Sequence, residues 1–323
     1  MSAAGEPAQT NSGVEKLDER DDAQDGEARS VPALAVQFFI IPLAVVVAVV
    51  SVYGGFRWLV DDVRTPQEYL NDVRAGGRER RWPAAFELSR LMADPEVQAA
   101  EPTLGPALVR AFVESEGDDP RVRRYLAMAV GQLLAPPADA GASLVAALGD
   151  PESETRISVI WALGSLGDTS VVPELAKMYA SDDAGVRKIT VYALGALSGD
   201  AQIDTLRTAL NDTAPDVQWN AAVALARHGN AEGGTVLGRM LDRAYVERIA
   251  EPAAGVGIDE IDRVGDVMIS GLNAVAALGA EGLRESVAQL SRDDESLRVR
   301  QAAIEALAAL DAAAAEAEGQ ARG

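Results

Sequence analysis

The chain has 323 residues, a net charge of −21, a pI near 4.4, no cysteine and one histidine, His228. The acidity argues against nucleic acid as a partner, and the cysteine and histidine counts exclude disulfides, thiol chemistry and any zinc or iron site that needs two histidines of one chain. Hydrophobic residues are 48% but aromatics only 5%, so the core must be built from Ala, Leu and Val, of which Ala and Leu favour helix.

Residues 1–30 carry eight Asp and Glu against Lys16, Arg20 and Arg29, with almost no large apolar side chain. A disordered acidic tail is expected there. From Ser30 to Phe56 no residue is charged, a run of 27. About 20 apolar residues at ~1.5 Å each match a bilayer core of roughly 30 Å. Tyr53, Phe56 and Trp58 gather at one end, where amphipathic rings prefer the interface. The run is too long for a core helix, and it lacks the basic start of a signal peptide. A single transmembrane helix is therefore expected over residues 31–59, with the lipid bilayer as its partner. Counted to residue 81, six arginines follow the span and three basic residues precede it, which favours a cytoplasmic repeat domain at a bacterial inner membrane.

Residues 60–110 are expected to hold the first helices of the soluble part. Thr65-Pro66 pairs an N-cap residue with proline at the first helical position, and Gly76-Gly77 stops that helix. RERRWPAAFELSRLM then resumes a helix ending at ADPE.

Beyond this point the chain repeats itself. VIWALGSLGD at 159–168 returns as VYALGALSGD at 191–200, 31 positions on when aligned on Ala-Leu-Gly, and again as AVALARHGN. Seven segments align on Leu88, Val130, Leu163, Leu194, Leu225, Val275 and Leu307. A small alanine precedes all but the first, where Glu87 stands, and lets a neighbouring helix come close. Val159, Ala162, Leu163 and Leu166 follow the i, i+3, i+4, i+7 rule for one helical face. A Gly or Asp turn follows, then a second apolar helix: ASLVAAL, VVPELAKMY, QIDTLRTAL, GTVLGRML and RESVAQL. One helical pair cannot bury its own apolar face, so the pairs must stack. Repeats are expected over 111–312, with a disordered tail at 313–323. The step from Leu225 to Val275 is 50 residues, and the surplus marks an insert at about 244–267. Such inserts fall in loops, often on a binding face.

Seven residues before the aligned leucine stand Arg81, Arg123, Arg156, Arg187, Gln218, Met268 and Arg300, preceded by aspartates at Asp119, Asp150, Asp182, Asp183, Asp216 and Asp294. This aspartate, arginine and leucine-glycine pattern resembles the HEAT family, in its short form named after phycobilisome lyases. The resemblance implies an all-α fold: a right-handed α-solenoid of HEAT-like helical hairpins, preceded here by a single transmembrane helix. It also implies an inter-repeat ladder, carried to Arg123, Arg156, Arg187, Arg300, Asp150 and Asp183. Gln218 and Met268 interrupt it.

No catalytic, cofactor or metal site is expected, and the chain reads as a non-enzyme. His228 takes a column filled elsewhere by leucine, beside Gly229, and suits a helix C-terminus. Met128, Trp161, Tyr192 and Val223 share a column and are expected to pack between repeats. Glu251, Asp259, Glu260, Asp262 and Asp266 crowd the insert without the spacing of a calcium loop. No phosphate loop, nucleophile elbow or zinc signature is present. The function expected is a membrane-anchored scaffold for a protein partner. Its surface would lie on the second helices, at Glu174, Lys177, Gln202 and Arg207, where the acidic net charge favours basic groups opposite. An accessory subunit of a membrane complex and a bilin-lyase-like enzyme or chaperone are the alternatives.

Overall fold

The computed structural model describes residues 41–60, 64–249 and 262–322. Two compact units divide the chain, Met1–Val63 and Arg64–Gly323. In the first, α1 (Ile41–Val60) is 20 residues long, with side chains such as Leu43, Val46 and Val52 exposed. Among the described residues no helix is long and apolar enough to cross a membrane. The expected tail at 1–30 and the first part of the expected span, 31–40, lie outside the described residues.

The second unit opens with α2 (Pro66–Ala75) and α3 (Arg78–Leu91). The Thr65 hydroxyl accepts from Glu68 N at 3.3 Å while Glu68 accepts from Thr65 N at 3.2 Å, a closed capping box. Next come α4 (Pro95–Ala100), α5 (Leu104–Glu114), α6 (Pro120–Gly131), α7 (Ala140–Ala146), α8 (Ser153–Leu166), α9 (Val172–Met178) and α10 (Ala184–Ala196). The unit continues with α11 (Ile203–Ala209), α12 (Pro215–Arg227), α13 (Gly234–Met240), α14 (Arg243–Ile249), α15 (Arg263–Leu278), α16 (Arg284–Asp293) and α17 (Leu297–Arg322). No strand occurs among the described residues.

The seven aligned segments are α3, α6, α8, α10, α12, α15 and α17, and each packs on the next. The shorter helices α5, α7, α9, α11, α13 and α16 pack against this row as the second members of each pair. The result is a solenoid-like stack in which every repeat touches its neighbours in sequence. Left-handed glycines end the helices where the turn must reverse, Gly167 at φ 73° after α8 and Gly279 at φ 63° after α15.

The spacing of the row is set by glycines that follow the aligned residue. An ideal Cβ on Gly131 would stand 2.6 Å from Ala162 Cα, and one on Gly164 would stand 2.8 Å from Ala193 Cα. Gly195 meets Ala224 in the same way. So the glycine of one repeat receives the alanine of the next, and the two backbones lie closer than any Cβ allows. The alanine column alone, read from the sequence, is half of this contact.

Two expectations change. The segment 313–323 was expected to be disordered, yet α17 runs on to Arg322. Its AAAAEAEGQAR sequence is made almost entirely of strong helix formers, so the helix continues. The insert at 244–267 is helical at both ends, through α14 and the start of α15, and only residues 250–261 lie outside the described residues.

The contact predicts an inverted response to a routine substitution. Gly→Ala inside a helix normally gains up to about 1 kcal/mol. Gly164→Ala is expected to lose about 1–2 kcal/mol in urea unfolding, because overpacking costs roughly 1–3 kcal/mol where backbone must yield. Gly234→Ala, with no atom within 4 Å of the added Cβ, is expected to be neutral or slightly stabilising.

Candidate functional site

Two features combine charge with shape: the ladder along the row and a groove across three first helices. In the ladder, an arginine on one helix reaches the aspartate that heads the next repeat. Arg81 Nη1 donates to Asp118 at 2.9 Å, Arg123 Nε to Asp150 at 2.7 Å, and Arg187 Nε to Asp212 at 2.8 Å. Arg123 also donates to Phe112 O at 3.2 Å, so the buried guanidinium is shared between an ion pair and a backbone carbonyl.

The expected members divide. Arg123 meets Asp150, but Arg187 meets Asp212 rather than Asp183. Arg156 donates to the backbone oxygens of Asp150 at 2.7 Å and Pro151 at 3.0 Å, and Asp183 accepts instead from Ser153 Oγ. The Ser153 bond holds the Asp183 carboxyl below its ordinary range, with its own loop amides and nearby Arg156 adding to the effect. At the break left by Met268, Arg243 on α14 supplies the missing charge, donating to both Asp294 oxygens at 3.0 and 2.6 Å. No column in the sequence contains Arg243, because it lies in the stretched repeat. Arg300 Nε is buried without a hydrogen-bond partner.

Asp212 is the most heavily used carboxylate. It accepts from Arg187, from Ala214 N at 2.8 Å and from the Tyr179 hydroxyl at 3.0 Å. Chiefly through Arg187, its pKa falls to about 2. Burial, and then the bond to Asp212, push the Tyr179 hydroxyl up to about 12.

On the expected partner surface of the second helices, Lys177 and Arg207 are exposed and Glu174 is half-buried. Gln202 is fully buried rather than exposed. Its amide donates to Leu197 O and Gly199 O, both at 2.8 Å, and lies 3.2 Å from His228 Nε2. It satisfies the orphan carbonyls at the end of α10, a need that any helix terminus creates. His228 sits at the end of α12 as that amide's neighbour. Glu174 and Lys177 pair with each other at 2.6 Å, and Arg207 pairs with Asp204 at 2.9 Å and Glu232 at 2.7 Å.

The groove runs across α10, α12 and α15, with Met240 of α13 also in its lining, and has a volume of about 330 Å³. Its apolar lining is Tyr192, Trp219, Val223, Met240 and Val267. Tyr192 is 41% exposed, so the column expected to be packed between repeats opens here to solvent. Lys188, Arg227, Arg263, Asp216 and Asp266 ring it, with Lys188 Nζ 2.8 Å from Asp216. Among the described residues no group of three or more His, Cys, Asp or Glu could hold a metal ion.

These features define an all-helical repeat protein built as a solenoid-like stack. The family model described as HEAT repeats matches residues 106–195 and 181–255, so this stretch carries HEAT repeats. No curated protein matches the chain. Similar solved structures include the complex of CpcE and CpcF of phycocyanin lyase from Nostoc sp. PCC7120, at 18% identity over 76% of this chain and 95% of that one, with a TM-score of 0.48. A designed armadillo repeat protein in complex with peptide (KR)4 matches at 15% identity over 76% and 99%, with a TM-score of 0.39. The Pds5-Scc1 complex matches at 11% identity over 76% and 48%, with a TM-score of 0.41.

The Asp212 cluster sets an acid limit. Its folded pKa of about 2 lies below the ordinary 3.8, so its stabilisation is full above pH 4 and fades as pH falls towards 2. That shift is worth about 2 kcal/mol. Asp212→Asn is expected to lower stability at pH 7 by about 2–3 kcal/mol and to flatten the decline between pH 4 and 2, read by urea unfolding at each pH.

Proposed function

We propose that this chain is a membrane-tethered HEAT-repeat scaffold that holds a protein partner in the groove across α10, α12 and α15. The groove carries this reading. Its floor offers Tyr192, Trp219 and Met240 in a depression about large enough for one bulky side chain, and aromatic anchors in such depressions dominate binding energy. On the rim Lys188 pairs with Asp216 at 2.8 Å and Arg298 with Asp266 at 2.8 Å, while Arg227 presents a further cation on a chain of net charge −21. A segment with an apolar side chain beside a carboxylate suits this rim. The reading moves the partner from the second-helix surface, whose Gln202 is buried, to a groove with an exposed aromatic side chain.

The tether is the uncharged run from Ser30 to Phe56, inserted as a helix over residues 31–59 with the repeats on the cytoplasmic side of a bacterial inner membrane. Function then consists of holding a partner near the bilayer, with no bond made or broken by the scaffold. The lone histidine supports this, since it caps a helix beside Gln202 rather than facing the groove.

Two measurements test the proposal. After cell breakage the full chain is expected in the carbonate-resistant membrane pellet, and a chain lacking residues 31–59 in the supernatant. Recovery of the full chain in the supernatant would contradict the tether. In affinity purification from detergent extract, Tyr192→Arg is expected to reduce the recovered partner at least about tenfold, the effect of losing one interface anchor. Equal recovery by the variant and the natural chain would contradict the groove.

A further inference from the structure

The two ends of the groove differ in charge. On α12, Asp216, Trp219, Asn220, Val223 and Arg227 fall three or four residues apart or adjoin, and so form one stripe that lines it. At the Asp216 end the charges are answered within the chain. Lys188 Nζ stands 2.8 Å from Asp216, Arg263 Nη2 stands 3.9 Å from the same carboxylate, and Arg298 holds Asp266 at 2.8 Å.

At the other end stands Arg227. It is exposed, and among the described residues no hydrogen bond, ion pair or ring contact engages its side chain. Exposed arginines elsewhere on the stack have found an acid: Arg90 meets Glu87 at 3.1 Å, Arg121 meets Asp119 at 2.7 Å and Arg207 meets Glu232 at 2.7 Å. Carboxylates are plentiful on a chain of net charge −21, yet none of the described ones comes to this cation.

Between the ends the lining is apolar. Tyr192 and Val223 share an aligned column on the neighbouring helices α10 and α12, and Tyr192 is 41% exposed. Val223 precedes Arg227 by four residues, about 6 Å along the helix axis. Residues i and i+2 of an extended segment share a face and lie about 6.6 Å apart. A side chain resting on Tyr192 and Val223 therefore brings the next position on the same face of an extended segment to Arg227. Asn220 favours an extended occupant over a helical one. Its Nδ2 donates to Asp216 O at 2.7 Å, which leaves Oδ1 as an acceptor for a main-chain N–H. An extended segment has such donors to offer, whereas the N–H groups inside a helix are already bonded.

We propose that Arg227 is the specificity-determining residue of the groove, selecting an extended protein segment with an Asp or Glu two positions from a large apolar side chain. The inference rests on the groove reading given above, and adds to it the sign of the partner's charge, its place and the residue that reads it. A guanidinium beside apolar surface meets a carboxylate through paired, charge-assisted hydrogen bonds, which gives direction as well as attraction.

The test pans a random peptide library against the full chain in detergent. The peptides are fused at their C-terminus, so every carboxylate offered is a side chain. Those that depend on the groove, judged by their loss with Tyr192→Arg, are expected to carry a large apolar residue with Asp or Glu two positions away. Panning against Arg227→Glu is expected to keep the apolar residue and to exchange the acid for Lys or Arg. In fluorescence anisotropy, an enriched peptide is expected to bind Arg227→Glu at least about tenfold more weakly than the natural chain. The same peptide with its acid replaced by Lys is expected to recover most of that loss on the variant. Circular dichroism is expected to be unchanged, because the Arg227 side chain is exposed. Groove-dependent peptides with no acid, with an acid at another spacing, or with an acid indifferent to Arg227→Glu would overturn the proposal and leave the groove standing. If no peptide depends on Tyr192, the groove reading itself falls and the proposal with it.

Discussion

The repeat stack depends on how closely two helices can approach. Gly131, Gly164 and Gly195 each face an alanine of the next repeat at a distance no Cβ would tolerate. A glycine inside a helix costs roughly 0.5–1 kcal/mol relative to alanine. The row recovers that cost because close approach brings the flanking large side chains into contact, and Ile160, Leu163, Val191 and Leu194 are almost wholly buried as a result. With only 5% aromatics, the core cannot be filled by bulk, so it is filled by drawing the helices together.

The ladder works at the edge of the same contact. Arg81, Arg123 and Arg187 fasten the loop that begins the next repeat, and the carboxylates they meet also accept from loop amides. Such buried pairs add little net energy once desolvation is counted, but they disfavour any register that leaves them unpaired. Arg243 illustrates the constraint. Where Met268 removes the usual cation, α14 of the stretched repeat brings another to Asp294. The stretched repeat thus has a structural role as well as extra length. Its second end contributes Arg263, Asp266 and Val267 to the groove.

The seven first helices and their partners were legible because a 31–33-residue period repeats an apolar face with fixed spacing. The Ala-Leu-Gly triplet even spells the contact, alanine for one neighbour and glycine for the other. What the sequence concealed was direction. Periodicity cannot say which way a polar residue at a helix start turns, so Gln202 looked exposed while its amide was needed by the end of α10. The groove was hidden for a related reason. Tyr192 shares a column with Met128, Trp161 and Val223, and a column alone does not separate a packed face from an open one. Arg243 could not be aligned, and the tail after residue 312, expected to be disordered, is helical because local propensity carries the helix on.

Native-state hydrogen exchange over the repeat unit tests the close-approach account most directly. If helix-to-helix contact along the row holds the stack together, the slowest amides will lie in α8 and α10 and open with one common free energy. Protection will then fall towards α17, and the short helices α9 and α11 will exchange at lower cost. Independent opening of each hairpin, or greatest protection in the short helices, would contradict it.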